Sequence, residues 1–554
     1  MRKLAWAVSA ALGVMSGSAM AAGVTVLTAA RIHTMDTAQP TAQAMAFDDD
    51  GRILALGDAA TLAARYPKAQ RLDVGDATVI PGLIDAHAHV SGLGMTMLSA
   101  DLVDARSKDE VLQRLQAFAR QLPPGAWLIG RGWDQNDWPE KIFPTAADLD
   151  AAFPDRPVWL ERIDGHAGWA NSAAMRAVKR DLSGDWQPDG GRIERAGGKP
   201  TGIFVDGAMA LVDQSRPPLD EATAERALSL GMQSAVEHGL TGVHDAGVSL
   251  AELKRYQRLA DRAAMPLRIT AMADGNGEAL EALCRDGLYA HPSGRLKMRT
   301  VKLYADGALG SRGAAMLKDY SDDHGNLGLM VMSPEQIAVA VDKAKRCKVQ
   351  VATHAIGDRG NHEVLEAYAK ALGNDAATTD HRWRIEHAQV LAPQDLPRLS
   401  AMHVIASMQP THATSDMPWA QDRVGPQRII GAYAWRQLRD SGARLALGSD
   451  FPVESVDPRF GLYAAATRTD PQGLPAGGWF PQEKLTAFEA LRGFTLDAAY
   501  AGFAEAEVGS LVAGKRADFV VLTEDPLAIA PAGLRGLHVQ ATYVDGQPVY
   551  RRAK

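Results

Sequence analysis

Residues 81–89 read Pro81-Gly82-Leu83-Ile84-Asp85-Ala86-His87-Ala88-His89. A Pro-Gly turn followed by a short apolar run predicts a buried strand, and two imidazoles stand at its C-terminal end. Side chains two apart on a strand share a face, so His87 and His89 point to one side. Working outward, further short apolar runs occur at 240–246, 267–273, 300–306, 349–355, 383–389, 403–409 and 444–450. Amphipathic stretches such as 334–345 and 361–371 separate most of them. Eight strand-helix units, counting 83–89 as the first, predict an α/β fold closed as a (β/α)8 TIM barrel rather than an open doubly wound sheet.

The barrel is expected over 81–495, with β-rich segments on both sides. Runs at 24–27, 44–47 and 52–56 precede it, and runs at 518–522, 539–544 and 548–550 follow, the last two joined by an Asp545-Gly546 turn. They predict a small β-sandwich built from both chain ends, 22–80 and 496–554. The gap between the first and second barrel strands is too long for one helix. It predicts a large insertion at about 100–220, rich in Trp, Gly and Asp, lying over the catalytic face. Residues 1–21 read as a signal peptide: Arg2 and Lys3, an apolar stretch from Leu4 to Val14, then the small-residue site Ala19-Met20-Ala21. Export is expected, to a periplasm or the medium, with no stable membrane anchor after cleavage.

Composition narrows the function. Of 554 residues, 46% are hydrophobic and 23% charged, which suits a large folded core and argues against wholesale disorder. A net charge of −7 and a pI near 6.1 argue against general nucleic-acid binding. Cys284 and Cys347 cannot build a disulfide framework or a cysteine zinc site. An oxidising compartment would let them pair, but they are expected to stay as small core residues. The expected partner is a small-molecule substrate, and homo-oligomers are left open. No Gly-x-Ser-x-Gly elbow falls between a strand and a helix, which argues against a serine hydrolase.

The chemistry gathers at strand ends. Beside His87 and His89, Lys302 lies in the fourth strand, His354 ends the fifth, His387 lies in the sixth and Asp450 ends the eighth. A barrel brings such ends together. Imidazole and carboxylate ligands suit Zn²⁺ and similar divalent ions. An inward-facing lysine needs a partner, because burying a bare ammonium is costly. A carbamate formed with CO₂ would turn it into an anion able to bridge two cations.

These motifs resemble the amidohydrolase superfamily, and more narrowly the branch that includes N-substituted formamide deformylases. The resemblance rests on the 81–89 stretch and on Val301-Lys302-Leu303-Tyr304-Ala305-Asp306-Gly307-Ala308-Leu309-Gly310-Ser311-Arg312. It rests also on Thr353-His354-Ala355-Ile356-Gly357-Asp358, Arg384-Ile385-Glu386-His387-Ala388 and Gly448-Ser449-Asp450. Gly509-Ser510-Leu511-Val512-Ala513-Gly514-Lys515-Arg516-Ala517-Asp518 resembles the family's return into its sandwich domain. The resemblance implies a first metal on His87, His89 and Asp450 and a second on His354 and His387. Carboxylated Lys302 would bridge two Zn²⁺, and a metal-activated hydroxide would attack the substrate. Asp450 would serve as general base and then general acid. With Lys302 unmodified, a single-metal site using His87, His89, one later His and Asp450 is the alternative.

The resemblance suggests that His166, in the insertion, faces the substrate and polarises its carbonyl; otherwise it is a loop histidine. His412 could meet substrate or stay solvated. Arg312 could anchor a substrate charge or hold its loop. Trp133 could wall an apolar pocket or belong to the insertion's own core. His244 is expected to orient a ligand from behind. The implied activity is hydrolysis of a C–N bond other than a peptide bond, in an amide or an N-formyl or N-acyl amine. The alternatives are a cyclic-amidine deaminase, another single-metal hydrolase on the same barrel, and a non-catalytic binding protein.

Overall fold

A computed structural model describes residues 23–275 and 277–553; the expected signal peptide, 1–21, lies outside the described residues. The barrel strands are β1 (Leu83–Ala88), β2 (Leu240–Val248), β3 (Arg268–Asp274), β4 (Leu296–Tyr304), β5 (Gln350–Ala355), β6 (Arg384–His387), β7 (Ile405–Met408) and β8 (Leu445–Leu447). They pair in parallel in chain order from β1 to β8. The register sets Lys302 beside Ala352, and Ala355 beside His387. Every residue of β5 is buried, since the barrel interior covers one face and helices the other. The seam between β8 and β1 is held by two backbone bonds beyond the strands. Asp450 N–H donates to His87 C=O at 2.7 Å, and His89 N–H donates to Phe451 C=O at 2.8 Å.

Both chain ends contribute to one further sheet. Val24–His33, Thr41–Asp48, Ile53–Gly57, Gln70–Asp73 and Thr78–Pro81 come from the N-terminal side. Phe519–Leu522, Val539–Val544 and Gln547–Arg551 come from the C-terminal side. Phe519 pairs with Pro81, so the sheet feeds directly into β1. Leu27, Met45, Phe47, Phe519 and Tyr543 form its core. The expected boundary at 495 falls just before a helix that meets the barrel strands. The helix Leu496–Ala501 packs Ala498, Ala499 and Ala501 against Ile84 and Ala86 of β1, Ile405 of β7 and Ala446 of β8. Its alanines let it approach the strands closely.

The segment between β1 and β2 holds a six-stranded sheet whose strands run from Ala100–Asp101 to Lys199–Asp206. Its core is aromatic. Trp133 is fully buried among Trp138, Phe143 and Trp169, and its indole N–H donates to Leu160 C=O at 2.9 Å. It therefore cannot wall a substrate pocket, and that expectation is corrected: burying an indole with its N–H satisfied serves the insertion's own core.

The cysteine expectation is also corrected, because Cys284 and Cys347 form a disulfide. Cys284 lies on the helix Glu278–Asp286, which follows β3, and Cys347 caps the helix Pro334–Arg346, which follows β4. Adjacent strands place these crossover helices side by side, where Lys343 also pairs with Glu281. A capping box, Ser333 with Gln336, and Pro334 at the first helical position fix where the second helix starts. Among the described residues, no helix is long and apolar enough to cross a membrane.

Candidate metal centre

The strand ends bring His87, His89, Lys302, His354, His387 and Asp450 near one another. His87, His387 and Asp450 offer ligand atoms that all lie within 4.8 Å of one another. His89 Nε2 is 3.1 Å and His87 Nε2 3.5 Å from Asp450 Oδ1. Lys302 Nζ is 3.1 Å from His87 Nε2. The His354 ring centroid lies 4.6 Å from that of His387.

Each imidazole is tied at one nitrogen by an acceptor. His87 Nδ1–H donates to Glu386 at 2.5 Å, His89 Nδ1–H to Ala246 C=O at 3.0 Å and His387 Nδ1–H to Gln409 Oε1 at 2.8 Å. His354 Nε2–H donates to Gly307 C=O at 3.3 Å. The opposite nitrogen of each ring is thereby left as a lone pair. Asp450 Oδ1 is buried and has no hydrogen-bond partner. Lone pairs facing a buried carboxylate oxygen repel unless a cation lies among them, so the donor set fits a divalent ion.

The protonation states agree with this reading. Burial, with Lys302 nearby, pushes His87 down to about 4. Burial likewise keeps His354 and His387 neutral, well below the ordinary histidine range. Burial would raise Asp450; protons on the surrounding rings, or a cation in their place, hold the carboxylate ionised. Burial pushes the Lys302 amine down to about 8. Neutral imidazoles and an ionised carboxylate are the forms that bind metal.

Local backbone places two of these groups. Along β6, Arg384 and Glu386 lie two apart and both bond inside the barrel. His387 follows out of phase and is redirected by a left-handed φ of 72°. Asp450 has a φ of 63°. Asp and His tolerate this region better than most residues, and such strain collects at functional sites.

Behind the ligands lies a buried network centred on Arg384. Arg384 donates to Ala86 C=O at 2.6 Å, Ser407 Oγ at 2.7 Å and Glu386 Oε2 at 3.0 Å. It also reaches His244 Nδ1 at 2.9 Å. His244 thus bonds to Arg384, which bonds to Glu386, the acceptor for His87 Nδ1–H. Burial would raise Glu386, but Arg384, His87 and Lys302 outweigh it and hold it well below the carboxylate range. The available signal was the two-residue strand spacing that puts Arg384 and Glu386 on one face.

His166 reaches the centre from the insertion. Its ring centroid lies 5.1 Å from that of His354, and its Nδ1–H donates to Asp206 at 2.6 Å. Burial opposes its charge, but Asp206 prevails and lifts it to about 9. His412 also joins, with Nε2 3.8 Å from Asp450 Oδ2 and its ring stacked on His387 at 5.8 Å. Arg312 instead pairs with Asp322, which Arg423 also holds.

A model of the amidohydrolase family matches residues 70–550. The Bacillus subtilis (strain 168) protein YtcJ is 35% identical over 519 residues, covering 91% of this chain and 95% of that one. The N-substituted formamide deformylase of Arthrobacter pascens is 31% identical, covering 94% and 97%. Among solved structures, an uncharacterized metal-dependent hydrolase from Pyrococcus horikoshii OT3 superposes with a TM-score of 0.74. It is 26% identical and covers 92% of this chain and 99% of that one.

Proposed function

The chain belongs to the amidohydrolase family, and from that premise we propose that it hydrolyses the carbon–nitrogen bond of an N-formyl or N-acyl amine outside the cytoplasm. The observation that carries the reading is the set of imidazole lone pairs turned on the unpartnered Asp450 oxygen. Likeness to the Arthrobacter deformylase supports a formyl or other small acyl group.

His87, His89 and Asp450 would hold one divalent ion and His354 and His387 a second, with Lys302 between them as a carbamate. Zinc is the ordinary choice for this donor set. A bound cation there supplies Lewis acidity toward a carbonyl and lowers the pKa of water. Asp450 accepts the proton released as water adds to the carbonyl and returns it to the departing nitrogen. The C–N bond breaks with its electron pair on nitrogen, giving a carboxylic acid and an amine, which exchange a proton to become carboxylate and ammonium. His166, fixed at Nδ1, presents its other ring edge and donates a hydrogen bond to the carbonyl oxygen as charge builds there.

The apolar leader at 1–21 supports export, and a Cys284–Cys347 bond suits an oxidising compartment.

The test is a panel of N-formyl amines, N-acyl amino acids and aminopurines, given to mature protein reconstituted with zinc and bicarbonate. Amine release from the first two classes is expected. Ammonia from aminopurines would indicate a deaminase, and no depletion a binding protein. Asp450→Asn is expected to lower turnover by at least about 10³-fold while the melting temperature of the metal-free protein holds. Unchanged turnover would refute the assignment of Asp450.

A further inference from the structure

We propose that Asp206 is a positioning residue for His166, so that the insertion and the barrel complete one active site between them. The two residues are joined twice across 40 positions of sequence. His166 Nδ1–H donates to Asp206 Oδ1 at 2.6 Å, and Asp206 N–H donates to His166 C=O at 3.0 Å. The backbone of His166 is fixed from the other side as well, its N–H donating to Asp164 Oδ1 at 3.0 Å. With Nδ1 occupied, the ring can meet a substrate only through Nε2, as the His166 side chain is 23% exposed while that of Asp206 is 2% exposed.

The carboxylate is built in rather than accidental. Asp206 ends the strand Lys199–Asp206 with a φ of 50°, a conformation that costs most residues energy. Its second oxygen, Oδ2, is buried without a hydrogen-bond partner. It rests against the loop that follows β4, where a Cβ at Gly307 would lie 2.4 Å away and one at Gly313 2.5 Å away. Gly307 C=O in turn accepts from His354 Nε2 at 3.3 Å. Asp206 therefore touches the loop behind one imidazole of the metal centre and the side chain of another histidine facing it. Folding of the insertion alone calls for neither a buried unpaired oxygen nor a left-handed aspartate. Fixing one ring nitrogen so that the other faces the reacting carbonyl accounts for both.

The test compares Asp206→Asn, His166→Gln and the double variant in the metal-loaded enzyme. Asn tolerates the left-handed conformation as Asp does, so the backbone is undisturbed. Asp206→Gly, unstrained at this φ, is the second variant should the first fail to fold, with the same outcomes. With an amide substrate, kcat is expected to fall about 10²-fold for His166→Gln and about 10-fold for Asp206→Asn, with KM within about twofold. The double variant is expected to match His166→Gln alone, since Asp206 acts through His166. Losses that multiply, or that follow the melting temperature or KM, would overturn the proposal and leave Asp206 a strut between the units. This kinetic arm rests on the proposed amide hydrolysis. Should the wild type cleave no amide, that reading fails, and the inference is decided by crystal structures of metal-loaded wild type and Asp206→Asn. Displacement of the His166 ring relative to His354 in the variant supports it, and an unmoved ring overturns it.

Discussion

Glu386 is where the metal centre and the stability of the barrel meet, and Glu386→Gln separates the two. The carboxylate accepts from His87 Nδ1–H at 2.5 Å and from Arg384 at 3.0 Å, and Arg384 Nε lies 2.7 Å from its other oxygen. A glutamine has one oxygen, whereas His87 Nδ1–H and an Arg384 N–H both donate to Oε2 and Arg384 Nε faces Oε1. Its amide N–H₂ must then face an N–H on one side, so at least one contact becomes a repulsion. The loss of charge is larger still. Arg384 is 1% exposed and Glu386 is its sole acidic ion-pair partner among the described residues. Removing one partner of a buried pair typically costs about 3–5 kcal/mol, because the other charge stays buried. Losing the acceptor behind a metal-bound imidazole typically costs about 10–100-fold in metal affinity. Urea unfolding of the metal-free protein reads the first effect, and zinc competition against a chelator reads the second. A metal-free variant that unfolds like wild type and holds zinc equally tightly would refute the reasoning.

Two further outcomes are expected. Opening the Cys284–Cys347 bond, by reductant or Cys347→Ser, frees a loop of 63 residues and is expected to cost about 4 kcal/mol, seen as a lower urea midpoint. Equal midpoints with and without reductant would contradict this. Glu489, with a side chain 16% exposed, is opposed by burial, but bonds from Arg436, Thr486 and Arg439 prevail and hold it at about 2 rather than 4.5. Its folded value lies below its unfolded value, so its contribution is complete above about pH 5 and is lost as pH falls through 4.5 toward 2, up to about 3 kcal/mol in all. Glu489→Gln should therefore destabilise at pH 7 and far less at pH 2; an equal loss at both would exclude this source.

The strands were legible because apolar runs buried on two faces leave a strong local mark. The candidate ligands were legible because they end those runs. Residues 349–355 and 383–389 show both features, and the structure places β5 and β6 there. What escaped was whatever depends on distant partners. Trp133 reads alike as a pocket wall or a core residue until Trp138 and Trp169 are seen around it. Cys284 and Cys347 pair because two crossover helices lie side by side, which no local pattern encodes. Glu386 stands beside His387 in the sequence, yet its role appears only when β1 brings His87 against it. Asp206, 40 residues from His166, had no local signal at all.

Closing the barrel and assembling its metal site are one physical event. Gly448 lets β8 approach β1, since a Cβ there would lie 2.5 Å from Asp85 Oδ1 and 2.6 Å from His87 N. Ser449 then fastens to Asp85 through Oγ–H at 2.6 Å and its own N–H, and Asp450 N–H closes onto His87 C=O. Asp450 reaches the histidines only in this closed arrangement, in a left-handed conformation that costs about 1–3 kcal/mol on its own. The seam bonds offset that cost, and an ion bound among the ligands adds to them, because the open chain lacks the site. Metal affinity and closure of the β8–β1 seam are thus thermodynamically linked. Weakening either at Gly448 or Asp85 weakens the other, although neither residue supplies a ligand.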